Sequence, residues 1–268
     1  ASYAKNTGHV SVIYSPQTSA TITEWFYLKN IHRTLWSTHI IWTLLGLTMV
    51  TYGLSRSKLS SINYNEKRRV SSVKSIVVGI SSPTIALSSS FIEYEPFSIF
   101  GFGSVAAYFG LVGAATLLLC REIWENSERF NIYPFIKMLV SFSMLVILIN
   151  HFIGSFFVDN HRVFAFLSMI IPLTIFCVAI EKLISMSATV IAVFIRLAPL
   201  IGFSILLVIF PEKYGVMFTT VPIYICYFLV FGYVGKFQRN DMGSFTIGTL
   251  HGIFLAFALA ATNPIFSI

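Results

Sequence analysis

Six ionisable side chains draw attention because they fall inside or beside long apolar segments. They are His32, His39, His151, His161, Arg196 and His251. Ionisable groups in such surroundings are energetically costly, so each is a functional hypothesis by default. Neither Asp nor Glu is predicted to lie well inside any of these segments, and this argues against a proton relay or a cation-coupled transporter built on a buried carboxylate.

The strongest chemical pattern joins His39 and His151. Each lies about six residues, or roughly 9 Å, below the outer end of a predicted apolar helix, and the two helices run antiparallel. Two neutral imidazoles at equal depth on facing helices can ligate the iron of a b-type haem from both sides. His32 and His161 lie at the outer boundary and are weaker candidate ligands. Hydrogen bonding to carbonyls or lipid headgroups is the simpler interpretation of all these histidines.

Arg196 lies near the middle of a predicted apolar helix, close to Pro199, with no carboxylate expected at its depth. An unpaired guanidinium is not tolerated in hydrocarbon, so it must reach a headgroup, freed carbonyls, a partner subunit or a bound anion. A haem propionate is one such anion, and Arg33 and Arg162 at the outer boundary could bind propionates too. Capping of carbonyls by Arg196 and headgroup anchoring by the other two is the structural alternative. His251, towards the inner side, is expected to stand alone.

The composition identifies the elements that would position these groups. Of 268 residues, 56% are hydrophobic, 16% aromatic and only 11% charged. A soluble domain carries about 25% charged residues, so this chain lacks the polar surface of a water-soluble globule. Disordered, coiled-coil, collagen and nucleic-acid-binding proteins are excluded on the same grounds. The sequence predicts an all-α, polytopic integral membrane protein.

Eight segments have the length of about 20 apolar residues that a membrane-spanning helix needs. Their predicted bounds are 34–54, 75–92, 99–120, 138–157, 163–180, 183–210, 214–235 and 244–262. Without the serine-rich second segment the count would be seven. The predicted organisation is an interfacial N-terminal cap over 1–33, a helical bundle over 34–262 and a short tail over 263–268.

Charge distribution orients these segments. The loop 55–74 alone carries six bases and one acid, and the loops predicted inside hold 12 bases against two in the loops predicted outside. Short cytoplasmic loops are rich in Lys and Arg, so both termini are expected on the extracytoplasmic side. The net charge of +7 is therefore a signal of topology. A prokaryotic plasma membrane or a mitochondrial inner membrane is the expected location.

Two predicted helices carry packing signals. In the segment 99–120, Gly103, Ala107 and Gly110 form one face of small side chains that allows another helix to approach closely. In the segment 75–92, several serines accompany Pro83. We expect these serines to bond back to their own helix, with a polar wall of a transport path or quinone pocket as the alternative.

The dipeptides His32-Arg33 and His161-Arg162 open two predicted helices half a chain apart. A 4 + 4 arrangement with histidine–arginine pairs at helix starts resembles the haem A synthase family, in which each half is a four-helix bundle with histidine ligands for haem. The resemblance covers only these dipeptides and the number of spans. The glutamate that the family places shortly before the histidine is missing, as is its regular pairing of histidines within each half.

Three functions follow as expectations. The first is a membrane subunit of a respiratory electron-transfer complex, a b-type cytochrome whose partners would be other membrane subunits and a quinone or an extracytoplasmic redox protein. The second is a cofactor-free structural or assembly subunit. The third is a small-solute or anion transporter or receptor that uses Arg196 and the serine-rich helix. Little of the chain lies outside the predicted helices, so a free-standing enzyme is the weaker expectation.

Overall fold

The structure of the protein is a computed structural model. It describes residues 53, 70–91, 102–125, 130–153, 160–210, 224, 232, 235, 238, 239 and 242–262. The chain divides into two compact units, 1–50 and 51–268, and every described residue belongs to the second.

The regular structure within these residues is entirely helical, as the composition predicts. Its helices are α1 (Ser72–Ser89), α2 (Phe102–Leu119), α3 (Glu122–Glu125), α4 (Ile132–Ile153), α5 (Asn160–Ser185), α6 (Thr189–Ile209) and α7 (Ser244–Thr262). Two of them are long and apolar enough to cross a membrane, α5 over Arg162–Ser185 and α6 over its whole length. The predicted segments 34–54 and 214–235, the cap 1–33 and the tail 263–268 lie wholly or largely outside the described residues.

The helix bounds predicted from the sequence agree best with those of the structure where an apolar run ends at small or turn-forming residues. Helix α7 has the bounds predicted for 244–262, and the ends of α1 and α2 lie within three residues of their predictions. Helix α4 begins six residues before the predicted position, at Ile132. The prediction excluded the helical turn around Lys137, whose side chain is exposed on the surface of the helix.

The largest error concerns the connection between α5 and α6. Glu181 and Lys182 were expected in a loop, but α5 continues through both to Ser185. The chain turns at Met186 to Ala188, where extended backbone at Ala188 precedes α6. A charged pair does not end a helix when its side chains find partners, and both of these side chains are buried.

Helix α5 is the central element, with α2 on one side and α7 on the other. An added Cβ at Gly113 of α2 would lie 2.6 Å from the Cα of Phe176. One at Gly248 of α7 would lie equally close to the Cα of Val178. Backbones that approach this closely leave no room for a side chain, and van der Waals contact stabilises the pair. Gly110 of the predicted small-residue face also packs against α5, since its added Cβ would lie 3.1 Å from Pro172 Cβ.

Contacts between helix ends at both ends of the bundle indicate that neighbouring helices run up and down. At one end of the bundle, Val70 before α1 donates its backbone N–H to Met186 O, 3.2 Å away, after the end of α5. Lys182 near the end of α5 donates to Ile123 O on α3 at 3.4 Å. At the opposite end, Arg162 at the start of α5 donates to Ala260 O near the end of α7 at 2.9 Å. Helices α5 and α7 are therefore antiparallel neighbours.

An ion pair between Lys74 and Glu122 joins α1 to α3 at the first of these ends. The hydrogen bond from the Lys74 ammonium lowers the pKa of Glu122 below its ordinary value of 4.5. A carboxyl group whose pKa is lowered by folding stabilises the folded protein at pH values above the pKa of that group in the unfolded chain. This contribution is lost as the pH falls through the lower pKa that the group has in the folded protein. The pair consequently makes a small contribution to stability at neutral pH and loses it in acid, because water screens exposed charges.

Four serines in or directly after α1 bond to their own helix, as expected, whereas the hydroxyls of Ser75 and Ser82 lie 3.2 Å from Ser187 Oγ and 3.4 Å from the Tyr108 hydroxyl. Ser81, Ser88, Ser89 and Ser90 each donate to a backbone carbonyl three or four residues earlier, at distances of 2.7 to 3.0 Å. Their hydroxyls are thus engaged by the α1 backbone.

The glycine contacts generate a prediction about stability. Replacing Gly113 or Gly248 with Ala should lower the free energy of unfolding by roughly 1–3 kcal/mol, because the added methyl group meets the backbone of α5. Thermal unfolding in detergent measures this loss. Gly53→Ala is the matched control, since its added Cβ meets no atom within 4 Å. Equal unfolding temperatures for all three variants would contradict the packing argument.

Candidate functional site

Three ionisable side chains converge on one buried carboxylate. Glu181 of α5 accepts a hydrogen bond at Oε1 from Arg196 Nη2 of α6 at 2.8 Å. His251 Nδ1 of α7 lies 3.3 Å from the same oxygen. Arg239 Nε, from the segment before α7, lies 3.6 Å from Oε2. We call these four side chains the Glu181 cluster.

The helix bounds explain why these residues meet. Glu181 lies one turn before the end of α5, and Arg196 lies about two turns into α6, so both are within roughly 6–11 Å of the turn that joins the helices. His251 lies about two turns into α7, which begins at the same end of the bundle. The long side chain of Arg196 spans the remaining difference in depth. Antiparallel packing thus brings residues that are distant in sequence to one level.

The cluster is enclosed by protein. The exposed fractions of its side chains are 5% for Glu181, 1% for His251, 13% for Arg196 and 14% for Arg239. Charges removed from water in this way are tolerated only when they are paired and hydrogen-bonded, because their desolvation costs several kcal/mol each. The interactions inside the cluster are correspondingly stronger than those of a surface pair.

Two glycines make room for the guanidinium of Arg196. An added Cβ at Gly232 would lie 2.5 Å from Arg196 Nη1. One at Gly235 would lie 3.2 Å from His251 Cε1 and 3.4 Å from Glu181 Oε2. Gly232 and Gly235 therefore form part of one wall of the cluster.

The two carboxylate oxygens of Glu181 are held unequally. Oε1 faces both Arg196 and His251, whereas Oε2 accepts no hydrogen bond from any residue that the structure describes. Arg239 Nε lies 3.6 Å from Oε2, and it donates its N–H to Gly235 O at 3.0 Å. Guanidinium and imidazole groups around a carboxylate can bind an anion, and the carboxylate itself can accept a proton.

Two expectations about this region are wrong. A carboxylate does lie at the depth of Arg196, and it removes the need for a propionate, freed carbonyls or a headgroup as the partner of that guanidinium. His251 does not stand alone, because it faces Glu181. The sequence reasoning missed Glu181 because it placed the residue in a loop, although Ser185 and Ser187 are better turn residues than the Glu-Lys pair.

Other predicted site residues lie apart from the cluster or outside the description. Arg162 donates to the Ala260 carbonyl near the end of α7. His151 belongs to the last turn of α4 and His161 to the first turn of α5, but the structure describes neither side chain. His32, Arg33 and His39 lie outside the described residues. The predicted haem ligation is therefore untested, and the residues that are described contain no group of three or more His, Cys, Asp or Glu suited to a metal ion.

Fold and site together define an α-helical protein with two helices long enough to span a membrane and a buried carboxylate enclosed by arginine and histidine. Comparison of the chain with models of protein families, with curated proteins and with solved structures yields no match. The functional assignment consequently depends on the site geometry.

The wall formed by Gly232 can be tested. Gly232→Ala should displace the Arg196 guanidinium and weaken its bond to Glu181, lowering the free energy of unfolding by roughly 1–3 kcal/mol. Thermal unfolding of the purified protein at neutral pH measures the change. Gly53→Ala again serves as control, and a variant at Gly232 that unfolds with that control would show that the guanidinium lies elsewhere.

Proposed function

We propose that the protein is a polytopic integral membrane protein that binds a small carboxylate anion at the Glu181 cluster and carries it across the bilayer. One observation carries the proposal. Nitrogen-bearing side chains from α6, α7 and the segment before α7 converge on a single carboxylate inside an apolar bundle. Ionisable groups in such positions typically mark pathways for substrates and ions.

The outward surface of the helices supports the membrane location. Large apolar side chains in the interior of four different helices are mostly exposed, with exposed fractions of 63% for Ile80, 65% for Ile147, 67% for Ile171 and 53% for Ile201. A water-soluble protein rarely leaves apolar surface of this extent uncovered. Eight spans with both termini outside, in a prokaryotic plasma membrane or a mitochondrial inner membrane, remain our proposal for the topology.

The chemistry of the cluster favours a carboxylate as the ligand. A guanidinium presents donors in a planar fork that matches the two oxygens of a carboxylate. The Glu181 side chain already occupies the position between Arg196, Arg239 and His251, so the space accepts a group of this shape. A buried ionic group is often less stabilising than a well-packed apolar one, so its presence is better explained by a ligand than by stability alone.

Binding of lactate tests the proposal. In detergent, lactate at about ten times its Kd should stabilise the full chain by about 1.4 kcal/mol, measured as a rise in Tm. Arg196→Gln should abolish the rise, because it removes the fork that recognises the carboxylate, and Arg196→Lys should reduce it. Arg121→Gln, at an exposed position after α2, is the matched control and should behave like the unaltered protein.

Uptake of radiolabelled lactate into proteoliposomes then separates a carrier from a receptor. A carrier fills the vesicles and loses this activity with Arg196→Gln. Failure of lactate, succinate, sulfate and phosphate to raise the Tm would overturn the proposal and favour a purely structural cluster in a subunit or assembly factor.

Electron transfer stays a second proposal, supported by the equal predicted depth of His39 and His151. It makes the chain a respiratory subunit with haem b, whose partners would be other membrane subunits, quinone or an extracytoplasmic redox protein. A reduced-minus-oxidised spectrum of protein purified from its native membrane should then show a b-type α-band that His39→Ala or His151→Ala removes. A featureless spectrum would exclude this role.

A further inference from the structure

We infer that Glu181 occupies the place of the bound anion, and that the anion enters together with one proton that Glu181 accepts. The inference rests on the proposed function and adds the co-substrate of the same site. It makes the protein a proton-coupled carrier of carboxylates, in which the protein's own carboxylate and the substrate compete for the same arginines.

The geometry of the two oxygens supports this competition. Glu181 is held firmly at Oε1 by Arg196, whereas Oε2 accepts no hydrogen bond from the described residues and lies 3.6 Å from Arg239 Nε. A carboxylate held mainly through one oxygen is easier to displace than one held through both. The incoming carboxylate can offer Arg196 the carboxylate oxygen that Glu181 Oε1 offers it in the empty site.

The cost of changing the net charge of the buried cluster explains why a proton accompanies the anion. Adding one carboxylate to the cluster places two negative groups beside each other in a medium of low dielectric constant, where like charges repel strongly. A proton that binds to Glu181 converts it to a neutral acid, and the charge of the cluster is then the same before and after binding. The step forms one O–H bond on Glu181 and breaks one in the hydronium ion of the solution that supplies the proton, so no oxidant or reductant is needed.

Glu181 is a better acceptor for this proton than the charged groups that face it. Within the described part of the chain, these groups are Arg196 from α6, His251 from α7 and Arg239 from the segment before α7. The arginines stay charged at all physiological pH values. His251 is the other group that can titrate, but a proton there adds a positive charge beside two guanidinium groups, whereas a proton on Glu181 removes the charge that repels the substrate.

Calorimetric titration of the full chain with lactate at several pH values tests the inference. Lactate remains ionised between about pH 5.5 and pH 8. If one proton is taken up with each anion, the Kd of lactate should rise about tenfold for each pH unit. This holds over the pH range in which Glu181 is ionised in the empty site and protonated in the complex. Glu181→Gln imitates the protonated acid, so its Kd should change little with pH and should be lower than that of the unaltered protein throughout this pH range, with the largest difference at pH 8.

Matched variants separate the two titratable groups. Glu181→Asp retains a carboxylate and should retain the pH dependence, as should Glu122→Gln at the exposed pair on α3. A weaker affinity in Glu181→Gln would show that Glu181 only compensates the arginines. Loss of the pH dependence in His251→Gln but not in Glu181→Gln would assign the proton to His251. Either result overturns the inference while lactate binding, and with it the proposed function, still stands.

Proton uptake by the unaltered protein gives a test that needs no variant. Lactate added to a weakly buffered sample containing a pH indicator should remove one proton from solution per lactate bound. Lactate binding without proton uptake would contradict the inference alone. Absence of lactate binding at every pH would instead show that the proposed function is wrong.

Discussion

The buried carboxylate of Glu181 is the constraint on which the rest of the described structure depends. A charge enclosed in an apolar bundle must be paired, because its desolvation otherwise costs several kcal/mol. Its partners come from α6, α7 and the segment between them. The requirement to pair this one group therefore brings those elements to the same level at one end of the bundle.

Close packing around α5 makes that pairing possible. Gly113 on one side and Gly248 on the other allow backbone contact with α5, so the helix is held on both sides. Gly232 and Gly235 provide space for the arginine and histidine side chains. Small residues thus serve two purposes here, which are the approach of helices and the accommodation of large polar groups among them.

Stability and function make different demands on the cluster. A carboxylate bonded equally through both oxygens would secure the helices best, yet Glu181 is bonded mainly through Oε1. A purely structural role of the cluster does not explain this difference between the two oxygens. It is the arrangement expected if the carboxylate has to yield its place to a substrate.

The amino-acid sequence by itself determined the helical class and most helix positions. Apolar runs are local features, and a helix satisfies its backbone hydrogen bonds within its own segment. The bounds of α7, the small-residue face of α2 and the serines of α1 were predictable for this reason. The end of α5 was not, since whether Glu181 and Lys182 continue a helix depends on partners far along the chain. Only the tertiary structure decided that Arg196 and His251 meet Glu181, because the pairing of buried charges is set by which helices become neighbours.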